Sequence, residues 1–327
     1  MKSRMSKLGA LCAAFIASIA VCSPAAHAQT YPARPIHVVV PFPPGGLNDT
    51  VIRIMQPYLQ QKLGQTIVID NKPGASGLIG TEQVAKAAPD GYTLLVVASS
   101  HTVAPATNMQ MPFDTERDLA PVSLLIRDPL MFVASTKVGA KTLAGFVALA
   151  KSKPGKLNYA TPGTDSQSHF VTELFDERAG IQMVQVPYRG GAPAVLSLIA
   201  GETDFAVLSM QLSEPQIKAG KLVALASGGH ERSAQFPNVP PLAESGYANL
   251  EALQWVGMLA PAKTPADVIG KLNATVHDVL SLPDVQQKFA AQGVTAAPTS
   301  PEAFQELITS EVKQWKEVAK TAKIKPH

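Results

Sequence analysis

The sequence predicts an α/β protein of two lobes, each with a mostly parallel sheet, and three observations carry that prediction. Short apolar runs such as Ile36 to Val40, Thr93 to Ala98 and Leu157 to Thr161 have the length and composition of buried strands, and each opens into a turn rich in Gly, Ser or Thr. That strand-turn-helix rhythm appears on both sides of one long, interrupted apolar stretch, Val122 to Ala134, which is expected to cross from one lobe to the other. Roughly 300 residues follow the N-terminal segment, enough for two cores of ordinary size.

The N-terminal segment is set aside first. Lys2, Arg4 and Lys7 precede an apolar run from Leu8 to Val21, and Ala26-His27-Ala28 is an A-x-A cleavage site, so an export signal over 1–28 is expected, with Gln29 as the first mature residue. The run is short for a membrane span, and no later one is longer. Cys22 invites a lipoprotein reading, against which stands the bulky Val21 before it. Both cysteines, Cys12 and Cys22, fall in the signal, so disulfide and thiolate chemistry are excluded from the mature chain. Without the three signal cations, 25 basic residues face 25 acidic ones. Bulk charge therefore points to neither nucleic acid nor an acidic membrane as a partner.

After Ile36 to Val40 comes Pro41-Phe42-Pro43-Pro44-Gly45-Gly46, then a helix to about Leu63 with Asn48 or Asp49 as N-cap, Pro57 as a kink and Gly64 as the stop. A strand over Thr66 to Asp70, the turn Asn71 to Gly77 and a helix from Leu78 to about Ala87 follow, and then the strand Thr93 to Ala98 with a turn at Ser99 to Thr102. Beyond the crossing, Thr142 caps a helix to about Lys151, Leu157 to Thr161 is a strand, and the turn Pro162 to His169 leads into a helix from Phe170 to Ala179. Strands are expected at Met183 to Tyr188, Phe205 to Leu208 and Leu222 to Ala226, with a helix from Ala194 to Ala200. Ala252 to Leu259 is the return crossing. Thr264-Pro265 and Ser300-Pro301 then open two helices that pack on the first lobe, the second running to about Ala322. The lobes are thus 29–128 with 255–327, and 129–254.

The proline-glycine turn is where chemistry is expected. A turn between a strand and a helix sets backbone N–H groups and the positive end of the helix dipole at the sheet's carboxyl edge, a natural place for a carboxylate or phosphate. An ordinary tight turn is the other reading of the same residues. Asp49 would repel an anion and is expected to brace the loop. His101 and His169, each at a strand end, are read either as histidines bonded within their own loops or, protonated, as partners of a bound carboxylate. Arg189 is read either as an ion-pairing partner of such a ligand or as a structural salt bridge. Trp255 and Tyr247 are read as packing residues.

Other motifs fail on spacing. Gly74-Ala75-Ser76-Gly77 lacks the last step of a nucleophile elbow, Gly74, Gly77 and Gly80 depart from the dinucleotide fingerprint, and Gly139-Ala140-Lys141-Thr142 breaks the phosphate-loop pattern. The histidines show no metal-ligand spacing, so neither a metal nor a cofactor is expected.

One ordered set of motifs remains: Tyr31-Pro32-Ala33-Arg34-Pro35, Pro41 to Asp49, Asn71 to Gly77, Asp90-Gly91-Tyr92-Thr93, Pro187-Tyr188-Arg189-Gly190-Gly191 and Lys218-Ala219-Gly220-Lys221. This set closely resembles the Bug family, the periplasmic receptors of tripartite tricarboxylate transporters, also called the TctC type. The resemblance covers essentially the whole mature chain. It implies a two-lobed Venus-flytrap, type II-like periplasmic binding protein, monomeric, that holds a di- or tricarboxylate, an acidic amino acid or an aromatic acid between its lobes for a membrane transporter. It further implies that Gly45 and Gly46 face the ligand carboxylate while Asp49 fixes their loop. Ser76, Ser99 and Thr102 would line the first lobe, and Thr161, Gly163, Thr164, Ser168 and Arg189 the second. Ser209-Met210-Gln211 is expected to form a side wall, and an acidic Asp165 near the cleft argues against a tricarboxylate. Two alternatives stay open: an extracytoplasmic sensor docking on a signalling kinase, and a serine hydrolase with Ser76 or Ser99 as nucleophile and His101 as base.

Overall fold

This computed structural model describes residues 31–324, apart from 109, 165, 230, 234 and 249, so the expected signal over 1–28 and Asp165 lie outside the described residues. Strand β1 (Ile36–Val40) pairs in parallel with β2 (Ile67–Asn71) on one side and β3 (Thr93–Ala98) on the other. Val38, Val39 and Val40 are all buried, as expected of a strand covered on both faces. The rhythm of the sequence is realised in helices α1 (Leu47–Leu63), α2 (Leu78–Ala85) and α3 (Ser100–Thr107), one after each of these strands.

The crossing is the 17-residue strand β4 (Leu119–Ser135). Helix α4 (Leu143–Ser152), strand β5 (Leu157–Thr161), helix α5 (Gln167–Ala179), strand β6 (Met183–Pro187) and helix α6 (Gly191–Ala200) follow it. Strand β7 (Phe205–Ser209), helix α7 (Met210–Lys218) and strand β8 (Leu222–Ser227) lead to the returning strand β9 (Leu253–Pro261). Helices α8 (Ala266–Leu280) and α9 (Pro283–Ala291), the short strand β10 (Thr295–Ala296) and helix α10 (Pro301–Thr321) complete the described chain.

Leu119 to Pro129 of β4 pair with β9, which itself pairs antiparallel with β3. Beyond Pro129 the strand changes neighbours, so that Leu130 to Ala134 pair with β7 and Met131 to Ser135 with β8. Proline has no N–H to offer a ladder, and Pro129 stands where the change occurs. In the second sheet β5 lies parallel between β6 and β7. The first sheet is therefore ordered β2-β1-β3-β9-β4 and the second continues it through β7, β5 and β6.

Successive residues of β4 feed different cores, as strand geometry requires. Phe132 and Ala134 join Phe146, Tyr159, Phe175 and Phe205 on one face of the second sheet, while Met131 and Val133 join Ala194, Leu198 and Leu208 on the other. The first sheet has a core of Val39, Leu95, Val97, Leu124 and Leu259 closed by Trp255.

The structure departs from the sequence reading at several helix ends. Gly46, not Asn48 or Asp49, is the N-cap of α1, and the helix runs through Pro57 to Leu63. Pro265 is the N-cap of α8 rather than its first residue. Helix α3 occupies a stretch read as a turn, and α7 and α9 were not anticipated. Each contains a proline, and α3 buries residues all around, so it shows no apolar stripe. The larger correction concerns α10. Phe304, Ile308 and Val312 pack in the core of the first sheet, but Trp315, Val318 and Ala319 pack in the core of the second. Its 21 residues make a rod of about 30 Å, long enough to reach both.

Candidate functional site

Asp49 organises the proline-glycine turn. Its carboxylate accepts the Gly45 N–H at 2.9 Å, the Arg53 Nε at 2.8 Å and the Asn71 Nδ2 at 3.0 Å, and Asn71 also donates to the Phe42 carbonyl at 3.1 Å. Burial alone would raise this carboxyl, but Arg53, the Gly45 amide and Asn71 together hold it below the ordinary aspartate range. Gly45 adopts a φ of +83°, which a side chain would strain, whereas Gly46 lies at φ −74° with its surface exposed. Because the Gly45 amide is bonded inside the loop, the N–H groups free for an anion are those of the first turn of α1, from Leu47 to Asp49, which helix geometry leaves without partners in the helix.

Around this turn the structure gathers several of the residues singled out in the sequence. Phe42, Ser76, Gly77, Ser100 and His101 line a cavity of about 10 Å³, with Phe113 as its far wall. Ser76 is exposed and holds a φ of +53°. His101 is buried against Phe113, with ring centroids 6.0 Å apart, and burial pushes its imidazole down to about 4. It is neutral at physiological pH, so it brings no positive charge to a carboxylate. Ser99 and Thr102 turn inward. The Ser99 hydroxyl donates to Oε1 of Gln167, and Thr102, fully buried, lies 2.7 Å from Oε2 of Glu311.

A second gathering lies at the carboxyl ends of β5 and β6. The Tyr188 N–H donates to the Thr161 carbonyl at 2.9 Å and the Gly190 N–H to the Pro162 carbonyl at 3.0 Å, which brings Arg189 beside Thr161 and Gly163. Arg189 and Thr164 are exposed, while the Thr161 hydroxyl is buried and accepts Nε2 of Gln185 at 3.1 Å. Ser166 caps α5, Ser168 is nearly buried in its first turn, and His169 is tied back to its own loop. A carbonyl can only accept, so the 2.7 Å contact of His169 Nδ1 with the Thr164 carbonyl places a proton on Nδ1. Met210 is buried in the core of the second sheet beside Leu208, and with Arg127, Pro129 and Leu253 it also lines a cavity of about 590 Å³.

The two gatherings meet through Gln167. Its Oε1 takes the Ser99 hydroxyl of the first, and its Nε2 donates to the Leu253 carbonyl at 2.8 Å, where β9 begins. Gln167, Asn71 and Glu311 carry roles that reading for ligand contacts passed over. Glu311 had a signal: it falls on the apolar stripe of α10 with Phe304, Ile308 and Trp315, and its oxygens accept Nε1 of Trp255 at 3.0 Å.

Residues 51–324 match the family described as the tripartite tricarboxylate transporter family receptor, TctC. Protein BugT of Bordetella pertussis is 38% identical over 313 residues, covering 95% of this chain and 96% of BugT. Among solved structures, MatC from Rhodopseudomonas palustris with bound malate is 32% identical with a TM-score of 0.74, covering 88% of this chain and 99% of that one. The R. palustris protein Rpa4515 with adipate is 30% identical with a TM-score of 0.78, over 91% of this chain and all of the other. The match over residues 51–324 and the likeness to BugT along nearly its whole length lead to one assignment: the chain belongs to the TctC family of tripartite tricarboxylate transporter receptors.

Proposed function

We propose that this protein is a periplasmic receptor that captures a small organic carboxylate between two lobes, 29–128 with 255–327 and 129–254, and presents it to a membrane transporter. The observation that carries the reading is the turn braced by Asp49, which sets the N–H groups that open α1, without partners in the helix, at the ends of the strands, the Asp49 charge there being balanced by Arg53. Such a site recognises the carboxylate and leaves the rest of the molecule to side-chain pockets. Arg189 is the cation in the second gathering that would meet a second carboxylate. The relatives with bound malate and adipate favour dicarboxylates as the class to try first.

A hydrolase built on Ser99 lacks its base, and one built on Ser76, which lines a cavity with His101, meets the same histidine. The Ser99 hydroxyl donates to Gln167, not to His101, and His101 is buried with an imidazole too acidic to serve as a base at neutral pH. Among the described residues no helix is long and apolar enough to cross a membrane. The test is a thermal-shift screen against mono-, di- and tricarboxylates and aromatic acids. Binding at 100 times Kd stabilises by about 2.7 kcal/mol, so the correct acid raises the melting temperature by several degrees. A flat screen across all classes argues against the reading.

A further inference from the structure

We infer that Gln167 is a positioning residue that latches the two halves of the chain together before any acid arrives, an inference that rests on the receptor reading above. Gln167 opens α5, whose Phe170, Leu174 and Phe175 belong to the core of the second sheet. Its Ser99 partner follows β3 in the first half, and its Leu253 partner opens β9 opposite Pro129, where the two halves join. The Ser99 N–H in turn donates to the Trp255 carbonyl at 3.1 Å, so Gln167 grips two segments that are already bonded to each other.

The chain of bonds continues. The Thr102 hydroxyl has one proton and two acceptors within reach, the Ser99 carbonyl at 2.8 Å and Glu311 at 2.7 Å. Burial pushes the Glu311 carboxyl up to about 7, opposed by Thr102 and Trp255. A protonated Glu311 can donate to Thr102 while Thr102 donates to Ser99, which satisfies every group in the line. Glu311 sits on α10, the helix that enters both cores. Gln167, Ser99, Thr102, Glu311 and Trp255 thus form one buried polar line between the two sheets.

A buried amide with both ends engaged is costly to separate from its partners, because each group left dry and unpaired forfeits its solvation. Opening the halves exposes those groups to water, and closing them restores bonds that owe nothing to a ligand. An acid then selects a closed state already populated, which strengthens binding of any acid that fits without choosing among them. The Ser99 hydroxyl is part of the latch and is not a ligand contact.

Hydrogen exchange of the full chain without any acid tests the latch. Wild type is compared with Gln167→Met, which keeps the length but removes both bonds, and with Gln167→Glu. Amides of Ser99 to Thr107 and Leu253 to Trp255 are followed, with those of β1 as the internal control. At pH 8 both variants lose on the order of tenfold protection there while β1 is unchanged. At pH 5 Gln167→Glu recovers, because a buried carboxyl that shares its cavity with Glu251 and Glu311, as well as Arg127, is protonated and donates to the Leu253 carbonyl as the amide does. Wild-type protection in Gln167→Met overturns the inference, as does equal loss in both variants at both pH values or equal loss in β1. Since no acid is present, a failed latch and a failed carboxylate screen are separate results.

Discussion

Neither oxygen of the buried Asp128 carboxylate has a hydrogen-bond partner among the described residues, although the Met210 amide faces it. Burial pushes this carboxyl up to about 7, with the amide opposing. Gln254 is its partner across the ladder, and Arg127, next on the strand, points to the other face toward Glu251 at 4.0 Å. The folded state keeps the proton up to about 7, whereas an unfolded aspartate releases it near 3.9, so the unfolded chain holds fewer protons between those values. Stability present below pH 4 is therefore lost as pH rises to about 7. Asp128→Asn is expected to flatten part of that decline and to be about 1–2 kcal/mol more stable than wild type at pH 8. Urea unfolding from pH 4 to 8 measures it, and an unchanged profile contradicts the account. Asp176 and Glu311, also raised to about 7 by burial, supply the slope that persists. Asp128 was unreadable in advance because it interrupts an apolar run, and nothing in a linear pattern says which interruptions are buried. Asp49 was readable as a brace because an acid beside a presumed anion site must have another task.

Among the elements, β9 and α10 depend on each other at a single glycine. A Cβ on Gly257 would lie 2.3 Å from the Phe304 ring, and Phe304 stacks edge-on against Trp255 with centroids 5.3 Å apart. Gly257→Ala must displace that ring, and overpacking of this kind costs about 1–3 kcal/mol. The expected result is a lower denaturation midpoint, and a midpoint equal to wild type would show that Phe304 has room to move. The strands of the parallel core were legible because a short apolar run between turn residues has few other fates, and Thr93–Ala98 and Leu157–Thr161 fall where the pattern places them. Helix α10 was legible in its Ser300 cap and its start at Pro301. Its reach into the second core was not, because periodicity reveals an apolar face but not what covers it. The helices α3 and α7 were obscured by their internal prolines for a similar reason: local signals of breakage yield to packing.

For the whole molecule, β4 sets the plan. A strand that pairs with β9 up to Pro129 and with β7 and β8 beyond it joins two sheets through one continuous backbone, and β9 returns beside it. The double rhythm of strands and the long apolar stretch announced that plan, while the grouping of side chains at the strand ends depends on contacts between residues distant in sequence. Ser99 and Thr102 show why: their type and place in a strand-end turn suit a ligand, but Gln167 and Glu311, distant in sequence, take their hydroxyls. Gly46 stands apart from them. A Cβ there meets nothing closer than the Pro43 carbonyl at 3.6 Å, an ordinary contact, so the fold itself tolerates a side chain. The most direct measurement is therefore calorimetric titration of wild type and Gly46→Val with the acid that most raises the melting temperature. The account predicts binding weakened by about a hundredfold in a variant that stays folded and melts within a few degrees of wild type, Val being a poorer N-cap for α1 than Gly; equal affinity in the two would place the carboxylate away from the turn ahead of α1 and contradict it.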